Sequence, residues 1–265
     1  MKIAQMTALV TGATGGLGQA IARELAGRGA SVVLTGRRED VLESLTSELG
    51  GRAIIADLTD RDAAAALMDE AGPVDILVAN AGLPASGPLT EYTLEAVDRA
   101  LDVNLRAPVV LARLAAEEMV SRRRGHLVFV SSVGGKMAAG GTSLYNATKF
   151  GLRGFSLALR EDLRPHGVGV STIYPGFIRD AGMFAETDVT LPRGLGTHTP
   201  GDVARAVSRA IERDLAEVDV APLSFRLGAR FAGVAPVLAA RNPREPVKRL
   251  NARATCSSTG PGRSG

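Results

Sequence analysis

Tyr145 and Lys149 stand four residues apart in Tyr-Asn-Ala-Thr-Lys. On a helix this spacing puts both side chains on one face, one turn apart. A tyrosine hydroxyl has an unperturbed pKa near ~10 and is a poor base at neutral pH; a neighbouring cation favours the phenolate and lowers that value. The pair is therefore a candidate general acid/base. Of the three tyrosines, only Tyr145 has a lysine at this distance. Ser132 lies thirteen residues before it, at the end of an apolar strand-like run, where its hydroxyl can bond a substrate oxygen.

A second group of residues suits phosphate. Thr11-Gly12-Ala13-Thr14-Gly15-Gly16-Leu17-Gly18 follows an apolar run and opens a stretch of helical spacing. In such a turn one glycine permits the bend, one lets the backbone approach a pyrophosphate, and one lets helix and strand pack closely. The helix N-terminus offers unpaired N–H groups to the anion. Candidate dinucleotide contacts here are Gly12, Thr14, Gly16, Leu17 and Gly18. Two spacings fit, GxxxGxG through Gly12, Gly16 and Gly18, and GxxGxxG through Gly12, Gly15 and Gly18.

The next apolar run ends at Leu34-Thr35-Gly36-Arg37-Arg38. A carboxylate at this strand end binds the ribose hydroxyl of NAD, whereas an arginine suits the 2′-phosphate of NADP. Gly36 followed by Arg37 predicts NADP(H) in preference to NAD(H); the plainer use of Arg37 and Arg38 is as solvated loop residues. Asp57, in Ala56-Asp57-Leu58, is placed to accept the adenine amino hydrogen, with Leu58 beside it, or else to cap the following helix.

These residues need a frame. Apolar runs of strand length cover 8–11, 31–35, 53–56, 76–79, 126–131, 168–174 and 218–221, and helical spacing fills 17–26, 41–49 and 203–211. Short apolar runs separated by helices indicate βαβ units. With right-handed crossovers they predict an α/β, doubly wound Rossmann-type fold, a parallel sheet of about seven strands with helices on both faces. Residues 1–250 read as one domain and 251–265 as a disordered basic tail.

With these motifs in order, the chain resembles the short-chain dehydrogenase/reductase family in its standard single-domain form, over residues 5–221. The likeness rests on Thr-Gly-x-x-x-Gly-x-Gly at 11–18, Asp57, Asn80-Ala81-Gly82, Asn104, Ser132, Tyr145 with Lys149, and Pro175-Gly176. It implies an enzyme interconverting an alcohol and a carbonyl on a small or lipid-like molecule. Tyr145 matches the family's general acid/base. Lys149 matches the lysine that binds the nicotinamide ribose and lowers the tyrosine pKa. Ser132 matches the substrate-orienting hydroxyl, and Asn104 the asparagine that holds a water for proton relay. Asn80, Ala81 and Gly82 match the segment under the cofactor. Pro175 and Gly176 match its clamp, and Ile178 the residue whose backbone meets the nicotinamide amide. Asp180 departs from the pattern, standing where the family often has threonine.

The resemblance also implies a homodimer or homotetramer. It would form through the helices of Asn104 and Tyr145, with Leu105, Val109, Val110, Leu114, Leu152, Phe155 and Leu159 as apolar faces. Met183, Phe184, Leu191 and Leu195 suggest an apolar lid. The alternatives on this scaffold are a non-catalytic NADP(H)-binding regulator, or a lyase or epimerase using the same cofactor.

Composition removes other classes. Of 265 residues 45% are hydrophobic and 22% charged, so a core is affordable without tryptophan. One cysteine, Cys256, allows neither a disulfide nor a cysteine metal site, which suits a reducing cytoplasm. The first residues lack a secretory pattern. The run Phe231 to Ala240 is broken by Gly233 and Pro236, far short of the ~20 residues a membrane span needs. Residues 241–265 hold six basic residues against Glu245, a charge of +5; the rest holds 25 basic and 27 acidic residues, or −2. The net +3 therefore belongs to the tail. No nucleic-acid face is expected, and weak contact of the tail with an anionic membrane surface is the alternative to simple solvation.

Overall fold

The computed structural model describes residues 1–179 and 196–240. Seven strands run in the order β1 (Thr7–Thr11), β2 (Ser31–Gly36), β3 (Arg52–Ile55), β4 (Ile76–Ala79), β5 (Gly125–Val130), β6 (Val168–Pro175) and β7 (Glu217–Val220). They form one parallel sheet ordered β3-β2-β1-β4-β5-β6-β7. The helices are α1 (Gly16–Gly27), α2 (Glu39–Leu49), α3 (Ala63–Ala71), α4 (Leu94–Leu101), α5 (Ala107–Ser121), α6 (Ser143–Leu163), α7 (Pro200–Arg213), α8 (Leu223–Val234) and α9 (Pro236–Ala240). The doubly wound α/β architecture expected from the sequence is the one observed, with strand limits within one or two residues of those predicted.

The central strands are apolar on both faces because helices cover both. On one side Ala8, Val10, Ile76, Val78 and Val128 pack against residues of α1, α2 and α7. On the other, Leu9, Leu77, Leu127 and Phe129 pack against α3, α5 and α6. The period of two divides each strand between the two cores. Truncating a fully buried residue such as Leu77 to alanine should cost about 2–5 kcal/mol. α7 begins with Thr199-Pro200-Gly201-Asp202, where the Thr199 and Asp202 side chains each accept the other's backbone N–H, an N-terminal capping box.

The strand order reverses between β1 and β4, so two chains of crossover leave in opposite directions. A crevice for ligand opens at such a switch point, outside the carboxyl ends of the strands. The candidate residues gather there. Asp180, Met183, Phe184, Leu191, Leu195 and the tail 241–265 with Cys256 lie outside the described residues. Among the described residues no helix is long and apolar enough to cross a membrane.

Candidate active site

The glycine turn joins β1 to α1. Gly12 has φ +64°, and a methyl group there would stand 2.8 Å from Ala81 Cα. A methyl on Gly18 would stand 2.2 Å from the Gly12 carbonyl oxygen. Both glycines are thus demanded by the chain's own packing. Thr11 Oγ accepts the N–H groups of Asn80 and Ala81, each at 3.0 Å, and the Asn80 amide donates to Thr11 O at 3.0 Å and Gly12 O at 3.3 Å. Asn80 therefore ties the end of β4 to the turn. Thr11 opens the motif, but its tie to Asn80 was not apparent from the spacing.

At the end of β2 a methyl on Gly36 would stand 2.7 Å from Thr14 Cγ2. Thr14 fills the space that a carboxylate at this position would need. Arg37 is exposed and leans towards Asp57, with Nη1 3.8 Å from Oδ2. Arg38 instead donates to the Thr14 backbone carbonyl, inside the glycine turn. Asp57 Oδ1 accepts the Thr59 N–H at 3.0 Å, so it caps its own loop rather than α3. Leu58 is buried among the residues under α3 and α5, and Leu17 packs at the edge of the opposite core.

Ser132 lies two residues beyond β5, not at its end, and opens a 3₁₀ turn, Val133–Gly135. Its Oγ accepts the Gly134 N–H at 3.1 Å and acts on the nearby Tyr145 hydroxyl, opposing the rise in pKa that burial causes there. The turn lies flat on α6. Methyl groups on Gly134 and Gly135 would stand 3.2 Å from Tyr145 Cε1 and 2.7 Å from the Lys149 carbonyl oxygen. Asn146, buried beside Tyr145, donates to Gly134 O at 2.6 Å and Met137 O at 3.2 Å, and accepts from Ala139 N. Lys136, at the far end of the turn, donates to Asp219 Oδ1 at 2.7 Å and sits 3.8 Å over the Tyr174 ring. Asn146 and Lys136 were missed in the sequence; a polar residue in the first turn of an apolar-faced helix was the only local sign of the former.

Lys149 is buried, with Nζ donating to Val130 O at 3.2 Å and standing 5.7 Å from the centre of the Tyr145 ring. Burial pushes its ammonium down to about 8. Tyr145 departs from the expectation. Burial raises its pKa, opposed by the Ser132 hydroxyl, and Lys149 does not reverse that shift. The reason is geometric: the lysine bonds a backbone carbonyl, and its charge lies beside the ring.

Asn104 is fully buried in a π-helical segment, Asp102–Arg106, between α4 and α5. Its Oδ1 accepts from Leu83 N at 2.6 Å and its Nδ2 donates to Leu83 O at 2.9 Å. The side chain is committed to the loop after β4. A methyl on Gly82 would stand 3.4 Å from Asn104 Oδ1 and 3.9 Å from Lys149 Nζ, so Gly82 leaves a cradle in front of both. Across the crevice, Gly176 N–H donates to Val220 O at 2.9 Å, behind Pro175 at the end of β6. Ile178 is buried and bridges to His198. That bridge uses Phe177 O and Arg179 N, which turns the Ile178 amide and carbonyl to the other edge.

These residues fit a dinucleotide. The glycine turn, the cradle at Gly82 and the buried, unpartnered Thr35 Oγ at the end of β2 all lie along the carboxyl edge of the sheet. Among the described residues no cluster of histidine, cysteine or carboxylates is arranged to hold a metal ion.

The site residues expected from the sequence thus converge, apart from those outside the described residues. The apolar residues expected to pair subunits, Leu105, Val109, Val110, Leu114, Phe155 and Leu159, are partly exposed, Leu152 alone excepted. Leu152 is buried, and Leu105, Val110, Phe155 and Leu159 pack against the core, Phe155 against Phe129 with ring centres 5.7 Å apart. Phe150 and Leu157 are the exposed apolar residues of α6.

A family profile described as short chain dehydrogenase matches residues 6–191. The chain is 36% identical to the ketoacyl reductase HetN of Nostoc sp., over 81% of this chain and 78% of that protein. It is 34% identical to the 3-oxoacyl-(acyl-carrier-protein) reductase FabG of Rickettsia conorii, over 76% of this chain and 87% of that one. A crystal structure of a short-chain dehydrogenase from Streptomyces avermitilis superposes with a TM-score of 0.77 at 27% identity, covering 89% of this chain and 95% of that one. The chain belongs to the short-chain dehydrogenase/reductase family, oxidoreductases that interconvert carbonyl and alcohol groups with a nicotinamide cofactor.

Proposed function

We propose that the chain is an NADP(H)-dependent reductase of a ketone on an acyl or similarly apolar substrate, with Tyr145 as its general acid. The observation that carries this reading is the Ser132 turn packed against Tyr145, with the Ser132 hydroxyl acting on the tyrosine, beside a cradle backed by buried Lys149. The bound nicotinamide would supply the hydride. Gly12, Thr14, Gly16, Leu17 and Gly18 would hold its pyrophosphate, and Arg37 the 2′-phosphate. Asp57 and Leu58 would hold the adenine, and Asn80, Ala81, Gly82, Pro175, Gly176 and Ile178 would line the rest of the cofactor's path. The names of the ketoacyl-reducing relatives support an acyl substrate.

In reduction, negative charge builds on the substrate oxygen. The Ser132 and Tyr145 hydroxyls donate to it, and pre-placed donors at a developing oxyanion are among the largest sources of rate. A phenol with a raised pKa starts in the protonated form that this direction needs. Tyr145 releases its proton to the alkoxide. Lys149, protonated below about 8, and a water held near Asn104 return it.

The test is turnover on β-keto esters with NADPH. General acid catalysis typically contributes ~10²–10⁴ in rate, so Tyr145→Phe should lower turnover by at least that range with NADPH affinity retained. Ser132→Ala should lower turnover mainly, and Lys149→Ala both turnover and affinity. Near-normal turnover of Tyr145→Phe would sink the mechanism. We also propose a homo-oligomer through the helices of Asn104 and Tyr145; a strict monomer in analytical ultracentrifugation at micromolar concentration would contradict it.

A further inference from the structure

α8 follows β7 and has two unlike faces. Inward, Ala229 and Ala232 are buried, and Phe225 meets Phe177 edge to face with ring centres 5.3 Å apart. The helix also packs on the turn that follows Ser132. Outward, Leu223, Leu227 and Phe231 succeed one another at intervals of four, and Val234 falls on the same face; they are 65%, 54%, 54% and 88% exposed. Single exposed apolar residues are ordinary on a soluble protein, but a continuous stripe along a whole helix marks an interaction surface.

Charge says what covers it. Arg226 and Arg230 are exposed and border the stripe. No carboxylate occurs from Val220 to Arg244, and residues 241–265 add a charge of +5. A second copy of this chain on the same face would bring the arginines of both copies into one interface to which α8 supplies no carboxylate, which is unfavourable. An amphipathic helix with leucine and phenylalanine on one side and arginine beside them suits the interface of an anionic bilayer, lying in its plane. We propose that α8 is a docking helix for anionic lipid surfaces. Leu223, Leu227, Phe231 and Val234 enter the acyl boundary, and Arg226 and Arg230 meet the headgroups. Because α8 rests on the turn after Ser132, docking brings the carboxyl edge of the sheet to the membrane, where an apolar carbonyl substrate concentrates.

The full chain is floated with vesicles of phosphatidylcholine alone and of phosphatidylcholine mixed with phosphatidylglycerol. It should float with the mixed vesicles only, and raised salt should weaken binding. Leu227→Glu with Phe231→Glu should cut the bound fraction at least tenfold, and Arg230→Glu should cut it without touching the apolar stripe. Both variants should keep the melting temperature and the turnover of a water-soluble β-keto ester without vesicles. Binding equal to wild type in the Leu227→Glu, Phe231→Glu variant would overturn the proposal and assign lipid contact to the basic tail. Absence of wild-type flotation, with sedimentation showing that the same variant splits an oligomer, would overturn it in favour of a second copy. Turnover measured without vesicles separates either failure from failure of the reductase mechanism.

Discussion

Arg37 and Arg38 are adjacent, and motif reading treats them as one basic pair, but their surroundings separate their tasks. Arg37 is exposed beside Asp57, a weak pair at 3.8 Å that leaves its guanidinium available to an incoming phosphate. Arg38 is spent on the Thr14 carbonyl, so it shapes the glycine turn. Losing a charge-assisted contact to phosphate should cost on the order of 1.5–3 kcal/mol, roughly tenfold to a hundredfold in affinity. Arg37→Ala should therefore weaken NADPH by that factor and leave NADH nearly unchanged, narrowing the gap between them. Arg38→Ala should weaken both cofactors alike, because it loosens the turn that either pyrophosphate would use. Fluorescence titration of the two variants with both cofactors decides the matter: equal loss of NADPH and NADH in Arg37→Ala would remove Arg37 from phosphate binding. The pair Tyr145 and Lys149 teaches a similar lesson. Their spacing placed them on one helix face, as found. The direction of the tyrosine shift was not in the spacing, since it depends on burial and on the Val130 carbonyl that holds the lysine.

At the scale of elements, strands were legible and the catalytic turn was not. Strands buried on both faces write themselves as unbroken apolar runs, and a glycine turn between strand and helix is a local pattern. The turn 133–135 is held instead by partners far along the chain: Lys136 reaches Asp219 across 83 positions. Lys136 and Asp219 are mostly buried, at 10% and 15% exposure, with Glu217 3.5 Å from the same ammonium. Glu217 in turn accepts from the Tyr174 hydroxyl at 2.6 Å and from Arg153 at 2.8 Å. This network fixes where Ser132 stands relative to Tyr145. Breaking one partner alone leaves an uncompensated buried charge, which costs about 3–5 kcal/mol and confuses folding with function. Lys136→Met combined with Asp219→Asn removes both charges. Misplacement of a reacting group by 1 Å costs about a hundredfold, so the double variant should lose about tenfold to a hundredfold in kcat. Its NADPH affinity should be unchanged, because the glycine turn lies at the other end of the crevice. A fall in affinity with kcat intact would show that the network supports the cofactor side instead.

The whole molecule adds a dependence on pH that no motif announces. His126 opens β5 inside the sheet and is 2% exposed. The Ser171 hydroxyl donates to Leu215 O at 2.6 Å, so its oxygen accepts from His126 Nε2–H at 2.8 Å, which fixes the neutral tautomer. The Nδ1 edge closes on Gly169, where a methyl group would stand 2.3 Å from Nδ1 and 2.8 Å from Asp214 Oδ1. Burial pushes the imidazole down to about 4, and the nearby Asp214 carboxylate only partly offsets it. Between pH 4 and the ordinary value near ~6.5 the unfolded chain binds a proton that the native chain refuses. Stability linked to neutral His126 is therefore complete above about pH 6.5 and is lost as the pH falls towards 4. A span of about 2.5 units corresponds to ~3 kcal/mol, a large share of the 5–15 kcal/mol typical of a folded domain. Asp202, held down to about 2 first by the Thr199 N–H, loses its contribution only in stronger acid, so the two steps separate. Denaturant melts of the wild type should show stability falling between pH 6.5 and 5 at no more than about one proton per molecule, and more steeply below, where glutamates held under the usual carboxylate range, Glu24 and Glu217 among them, protonate in the unfolded chain. His126→Gln keeps an amide donor for Ser171 and cannot titrate. It should start less stable at pH 7.5, because the glutamine packs the ring's space poorly, yet lose much less between the same limits. An equal slope in the variant would move the acid sensitivity to other groups and leave His126 a packing residue alone.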